Sequence, residues 1–144
     1  MNRTQHGFTL IELVVVITIL GILAAFALPR FVELSDVAHR SSVAGTSGAY
    51  AAAVALARAQ WVANGHTGPI ENLVGFGDGT VDMSADGWPT GVDGNLLPTG
   101  LSAGTCAGLW QKLMQANAPG VGTVAGAGVD YVATLVAGRC RYLY

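Results

Sequence analysis

Three sets of residues in this chain have types and spacings that could do chemistry. The first is Glu12. From Phe8 to Leu28 the only polar side chains are Thr9, Glu12 and Thr18. A carboxylate inside such a run costs about 2.5–3.5 kcal/mol on insertion scales, and usually marks a function or a partner. A cut between Gly7 and Phe8 would create a new amine about one helical turn from Glu12. That amine would suit the carboxylate as a partner, on the same chain or on a neighbour. A protonated carboxyl, or one that snorkels from an isolated helix, is the plainer alternative. The second set is Cys106 and Cys140, the two cysteines of the chain. They are far from any CxxC or histidine cluster, which disfavours zinc and suits one disulfide in an oxidising compartment. Their bond would close a loop of about 35 residues, worth ~3–4 kcal/mol of chain entropy. Two unpaired buried thiols are the alternative.

The third set lies in GFGDGTVDMSADGWPTGVDGN, within a region free of Lys and Arg from Ala59 to Gln111. Asp82, Ser84, Asp86 and Gly87 fit the first half of a calcium loop. Trp88 would offer its carbonyl, with Thr90 and Asp93 completing the ligand set. Pro89 stands where a small hydrophobic residue is usual, Asp93 reaches less far than Glu, and no flanking helices are evident. Asp-Gly turns on a solvated acidic surface are the alternative. No nucleophile–base–acid set is present around His6, His39 or His66. No Gly-rich loop joins a strand to a helix as nucleotide binding requires. These absences argue against an enzyme, and the net charge of -2 gives no reason to expect nucleic acid as a partner.

The elements that must position these residues follow from hydropathy and period. The chain has 144 residues, of which 11% are charged, and a mean hydropathy of +0.47. The excess apolarity is local. Phe8 to Leu28 would span about 31 Å as a helix, enough for a bilayer core. Arg3 before it and Arg30 after it are balanced, so orientation is poorly set by charge. A cleaved signal peptide, with a weak site at Ala24-Ala25-Phe26-Ala27, and an uncleaved anchor are the generic readings. Neither explains Glu12. Beyond the span, Val43, Ser47, Tyr50, Val54, Ala57 and Trp61 keep a helical spacing, and Asn64-Gly65 is a stop. One helix from about Thr9 to Ala63 is predicted, with a kink or local loss of helix at Pro29.

The rest is turn-rich. A short helix is predicted over Cys106–Ala116, a strand over Tyr131–Val136, a tight turn at Ala137-Gly138 and a returning strand over Cys140–Tyr144. On the returning strand Cys140, Tyr142 and Tyr144 would share one face, and Arg139, Arg141 and Leu143 the other.

Gly7-Phe8-Thr9-Leu10-Ile11-Glu12, the short leader before it and the apolar run after it together resemble the processing motif of type IV prepilins. Gly21 and Pro29 fall where type IVa pilins carry a helix-softening Gly and Pro, which implies a weak stretch from Gly21 to Pro29. The resemblance implies an α+β pilin fold, a long N-terminal helix packed by its C-terminal half on a small antiparallel sheet. It divides the chain into a leader (1–7), a membrane and filament-core helix (8–28), an amphipathic continuation (29–64) and a β-rich head (65–144). It implies that a prepilin peptidase cuts after Gly7 and N-methylates Phe8, and that Glu12 pairs with the Phe8 amine of an adjacent subunit. The subunit would wait in the inner membrane, then be raised by an assembly platform, with minor pilins, into a homopolymeric surface filament. A disulfide-bounded C-terminal region exposed on the filament is also similar to type IVa pilins, and is usually lacking in major pseudopilins. Asp86-Gly87-Trp88-Pro89-Thr90-Gly91, with Cys106 and Leu109-Trp110, resembles the mannose-sensitive haemagglutinin (MSHA) group of pilins. That implies attachment. The alternative function is a type II secretion pseudopilin in a periplasmic pseudopilus, and a third, from another class, is a membrane-anchored binding or enzymatic domain.

Overall fold

The computed structural model describes residues 8–144. The expected leader 1–7, with Gly7 at its end, lies outside the described residues. The chain divides into two compact units at Ser42/Val43, and helix α1, Leu10–Ala63, contributes to both.

In the first unit α1 is an exposed apolar rod. Every described side chain from Phe8 to Ser42 is exposed, apart from a half-buried Ala27. The helix is long and apolar enough to cross a membrane. Thr18 is reconciled with that setting by turning back on its own helix, donating to the carbonyls of Val14 (3.0 Å) and Val15 (2.8 Å). The helix runs unbroken from Gly21 through Pro29, so of the kink or local loss expected at Pro29 the loss is not seen. Proline removes a single donor, and the flanking i→i−4 bonds carry the backbone past it. Gly21 faces open space.

In the second unit the last turns of α1 bury Ala53, Ala57 and Trp61, with Tyr50 and Val54 packed beside them. Ser47, expected on this stripe, is exposed. The helix stops where Gly65 takes a φ of 75°. There Asn64 caps the turn, donating to the Val74 carbonyl (2.8 Å) and accepting from Gln60 (2.8 Å). Leu73, Val81, Met83, Leu109 and Leu113 complete this core.

Helix α2 covers Ala103–Leu113, three residues earlier than predicted at each end. Ser102 caps it by accepting from the Thr105 amide at 3.1 Å, and Met114 leaves the helix with an extended ψ of 159°. Strands β1, Asp82–Met83, and β2, Pro89–Gly91, form an antiparallel pair. A second, three-stranded sheet holds β3, Val121–Gly122, β4, Tyr131–Val136, and β5, Arg139–Leu143. It is mixed rather than purely antiparallel, because β3 runs parallel to β4. The Asp130 carboxylate accepts from the Gly120 amide (2.8 Å), while the Gly120 carbonyl accepts from the Asp130 and Tyr131 amides (2.9 Å each). This clasp lays the start of β3 alongside the start of β4.

The β4–β5 hairpin matches its prediction in β4 and the turn, while β5 lies one residue earlier at each end than expected. Leu135 pairs with Cys140 and Val136 with Arg139. The two-residue turn Ala137-Gly138 has φ of 50° and 72°, both positive as a type I′ turn needs.

Candidate functional site

The N-terminal segment is built around the first turn of α1. Thr9 precedes the helix, and its hydroxyl accepts from the Glu12 amide while donating to the Glu12 carboxylate, both at 3.4 Å. The Leu13 amide reaches the Thr9 carbonyl at 3.3 Å. Thr9-Leu10-Ile11-Glu12 thus has the spacing of a capping box, in which a Thr and a Glu three residues on serve the same helix end. The sequence reading missed this role, although the T-x-x-E pattern carries it. The carboxylate also complements the positive end of the helix dipole. Phe8 is 79% exposed and Leu10 80%. So the turn presents a weakly held carboxylate amid bare apolar side chains.

Cys106 and Cys140 are joined, with their Cα atoms 5.5 Å apart. The bond ties α2 to β5, and Cys106 is fully buried. Next to it sits an aromatic cluster. The Tyr142 hydroxyl lies 2.8 Å from the Cys106 carbonyl and 3.0 Å from the Tyr50 hydroxyl. Donating to the carbonyl leaves Tyr142 to accept from Tyr50. Tyr50 stacks on Trp110 with ring centres 5.5 Å apart, and Trp110 meets Tyr142 at 4.7 Å and Tyr131 at 5.0 Å. The Trp110 indole donates to the Pro119 carbonyl at 2.9 Å. Burial pushes the Tyr142 hydroxyl well up, with Tyr50 adding to the rise, and burial also raises Tyr50. These phenols remain neutral and act as packing and hydrogen-bonding groups. Sequence placed Cys140 and Tyr142 on one strand face, but had no signal joining them to Tyr50.

The expected calcium ligands are not arranged as a calcium loop. Asp82 is 1% exposed and turns both oxygens to backbone amides, Asn72 at 3.1 Å and Gly94 at 2.7 Å. The Ser84 hydroxyl accepts from the Trp88 amide at 3.1 Å, and the Trp88 carbonyl accepts from the Ser84 amide at 2.8 Å. Thr90 donates to the Asn95 carbonyl at 2.6 Å. Asp86 and Asp93 are exposed. The pattern is a β-hairpin whose polar groups satisfy one another. Among the described residues no group of three or more His, Cys, Asp or Glu converges as a metal site. Trp88, itself 46% exposed, carries the Arg58 guanidinium 4.2 Å from its ring centre. In the last turn of α2, Lys112 pairs with Asp78. That bond, and a second from Thr80, hold the Asp78 carboxyl down to about 2.

The comparisons with known proteins meet this geometry at the N-terminus. The family model described as the prokaryotic N-terminal methylation motif matches residues 2–28. The type IV narrow pilus major component PilA5 of Thermus thermophilus is 54% identical over 54 residues, which cover 38% of this chain and 47% of that one. The type IV major fimbrial protein FimA of Dichelobacter nodosus is 52% identical over 44 residues, 31% of this chain and 26% of that one. The type IV major pilin protein PilE1 of Neisseria gonorrhoeae is 68% identical over 31 residues, 22% of this chain and 19% of that one. The chain spans less than half the length of each of these relatives in the match. No solved structure matches it. The N-terminal segment thus carries the methylation motif and is similar to that of type IV pilins, and the long helix followed by small sheets makes an α+β layout of the pilin-like kind.

Proposed function

We propose that this chain is the structural subunit of a type IV pilus of the MSHA kind, polymerised from the inner membrane into a surface filament used for attachment. The observation that carries the reading is the first turn of α1, where Glu12 sits among exposed apolar side chains and accepts a hydrogen bond from Thr9. Residues 8–28 hold the subunit in the membrane before assembly. A prepilin peptidase removes residues 1–7 by cutting between Gly7 and Phe8, and the new Phe8 amine is methylated. Assembly then exchanges lipid for neighbouring helices around the same apolar side chains. In that dry bundle a carboxylate needs a cation, and the Phe8 amine of an adjacent copy supplies it. Removing one partner of a buried ion pair costs about 3–5 kcal/mol, because the other charge is left uncompensated. Gly21 and Pro29 are the positions at which α1 would adjust its backbone when copies pack. The MSHA assignment and the attachment role are supported by the local likeness of residues 86–91 and of Cys106 and Leu109-Trp110.

The test is the intact mass of the subunit in filaments sheared from cells, reduced and unreduced. The expected species lacks Met1 to Gly7, carries one methyl group, and gains two hydrogens on reduction. Glu12→Ala is expected to be processed yet absent from the sheared fraction. A processed wild-type subunit that never leaves the membrane fraction would instead support the pseudopilin.

A further inference from the structure

We infer that the outer face of the β4–β5 hairpin is a docking surface for the acidic loops of a second copy of this chain. The inference rests on the reading that the chain polymerises, and adds a contact between heads to the one between helices.

The hairpin fixes two arginines in place. Cys140 is held inward by its bond to Cys106, and side chains alternate along a strand. Arg139 and Arg141 must therefore point outward, about 7 Å apart by strand geometry, and both are exposed. Their cross-strand partners are Val136 and Thr134, so no acid shares their face. No Asp or Glu occurs from Tyr131 to Tyr144. Neither arginine has an ion-pair partner among the described residues.

The acidic surface is fixed too. Asp82 binds the amides of Asn72 and Gly94, so a buried carboxylate ties together the two loops that display Glu71 and Asp93. A Glu71 oxygen lies 3.6 Å from where a Cβ on Gly94 would stand. Glu71 and Asp93 are exposed and have no ion-pair partner among the described residues. Their region carries no Lys or Arg from Ala59 to Gln111.

One body thus displays a rigid cationic pair and a rigid acidic pair that do not meet each other. Two different patches that complement each other between copies make a heterologous contact, which propagates as an open helix unless its rotation closes. Charge complementarity also sets register and suppresses wrong pairings. A filament subunit has a use for each of these properties.

The experiment uses the full chain in cells that assemble it, and reads the fraction of subunit recovered in sheared filaments. Arg139→Glu with Arg141→Glu, and separately Glu71→Lys with Asp93→Lys, are each expected to lower that fraction about ten-fold or more, since like charges placed together cost several kcal/mol. The four substitutions together are expected to restore it. Intact mass of the membrane fraction checks that each variant still forms its disulfide. Wild-type filaments give a reading free of any variant. Raising the salt from about 0.1 to about 1 M shortens the screening length from ~10 to ~3 Å and should make them break more readily under shear. Wild-type yield from both pairs, or no recovery in the fourfold variant with salt-insensitive filaments, overturns the inference and leaves the pilus reading standing. Normal filaments that lose only their adhesion to an anionic surface would also overturn it, and assign the arginines to a polyanionic ligand. If the wild type forms no filament, the pilus reading fails and this contact falls with it.

Discussion

Replacing Asp82 by alanine separates a loop clamp from a metal ligand. Asp82 is 1% exposed and accepts from two amides, at 3.1 and 2.7 Å. Hydrogen bonds to a charged group contribute about 1.5–3 kcal/mol each. The two together would give ~3–6 kcal/mol, but Asn72 and Gly94 are exposed, and water can reach their amides once the loops part. A net loss of about 2–4 kcal/mol is therefore expected from Asp82→Ala. For a unit of the size of Val43–Tyr144 that lowers the melting temperature by about 10–20 °C. Asp82→Asn keeps one acceptor but aims an NH2 at the other amide, so an intermediate loss is expected. The assay is thermal unfolding of the full chain in detergent micelles, followed by near-ultraviolet circular dichroism, which senses buried Trp61 and Trp110. Millimolar calcium is expected to leave the wild-type transition where it is. A calcium-dependent rise that Asp82→Ala abolishes would refute the clamp and restore the calcium loop. An alanine variant as stable as wild type would refute the energetic argument.

Gly87→Ala should destabilise the second unit by about 2–5 kcal/mol, adding left-handed strain to overpacking. Gly87 has a φ of +73° and its Cβ would stand 2.6 Å from the Trp61 ring. Gly126→Ala, with nothing within 4 Å, is the control, and equal melting points would contradict the account. Replacing Cys106 and Cys140 together by serine should cost about 3–4 kcal/mol for a loop of this length; loss of less than a third of that, by denaturant titration, would show that the open chain is held by other contacts. The folded Asp78 carboxyl lies near 2, below its ordinary 3.8. Its contribution is thus present above pH 3.8 and is lost as the pH falls toward 2. Lys112→Ala should move the Asp78 titration, followed by nuclear magnetic resonance, upward toward the ordinary carboxylate range, and an unmoved titration would count against the pair. Thr9→Ala should weaken the helix cap by about 1 kcal/mol yet spare filament yield, whereas Glu12→Ala should abolish it. Equal loss in both would make the cap, not the charge, the reason for Glu12.

What the sequence disclosed depended on how local the cause was. Helix α1 was legible because an unbroken apolar run of membrane-spanning length leads into an alanine-rich stretch with helical spacing, and Asn64-Gly65 ends it by backbone chemistry. The β4–β5 hairpin was legible because alternation, the Ala137-Gly138 turn and the cysteine phase all agree within fourteen residues, from Tyr131 to Tyr144. Strand β3 was not. Val121-Gly122 is too short to show a period of two, and its direction comes from the Asp130 clasp on Gly120. Helix α2 began early because Ser102 caps it, a signal that the apolar spacing of Leu109, Trp110, Leu113 and Met114 does not contain.

The Asp82–Asp93 stretch marks the deeper limit. Asp, Ser, Asp and Gly at these spacings suit a cation-binding loop and a tight hairpin equally well, since both need oxygens that face inward and a glycine at positive φ. What separates them is where the oxygens find donors. For Asp82 those donors are Asn72, on a preceding loop, and Gly94, on the far side of the hairpin. No periodicity encodes that closure. It becomes visible only when Leu73, Val81 and Met83 pack under Trp61 and draw the loops together. The buried carboxylate then finds two amides already oriented, and an anion held by amides has no need of a metal. The same residue type at the surface, in Asp86 and Asp93, stays exposed to solvent. A single acidic stretch is thereby sorted into structural and displayed carboxylates by burial alone.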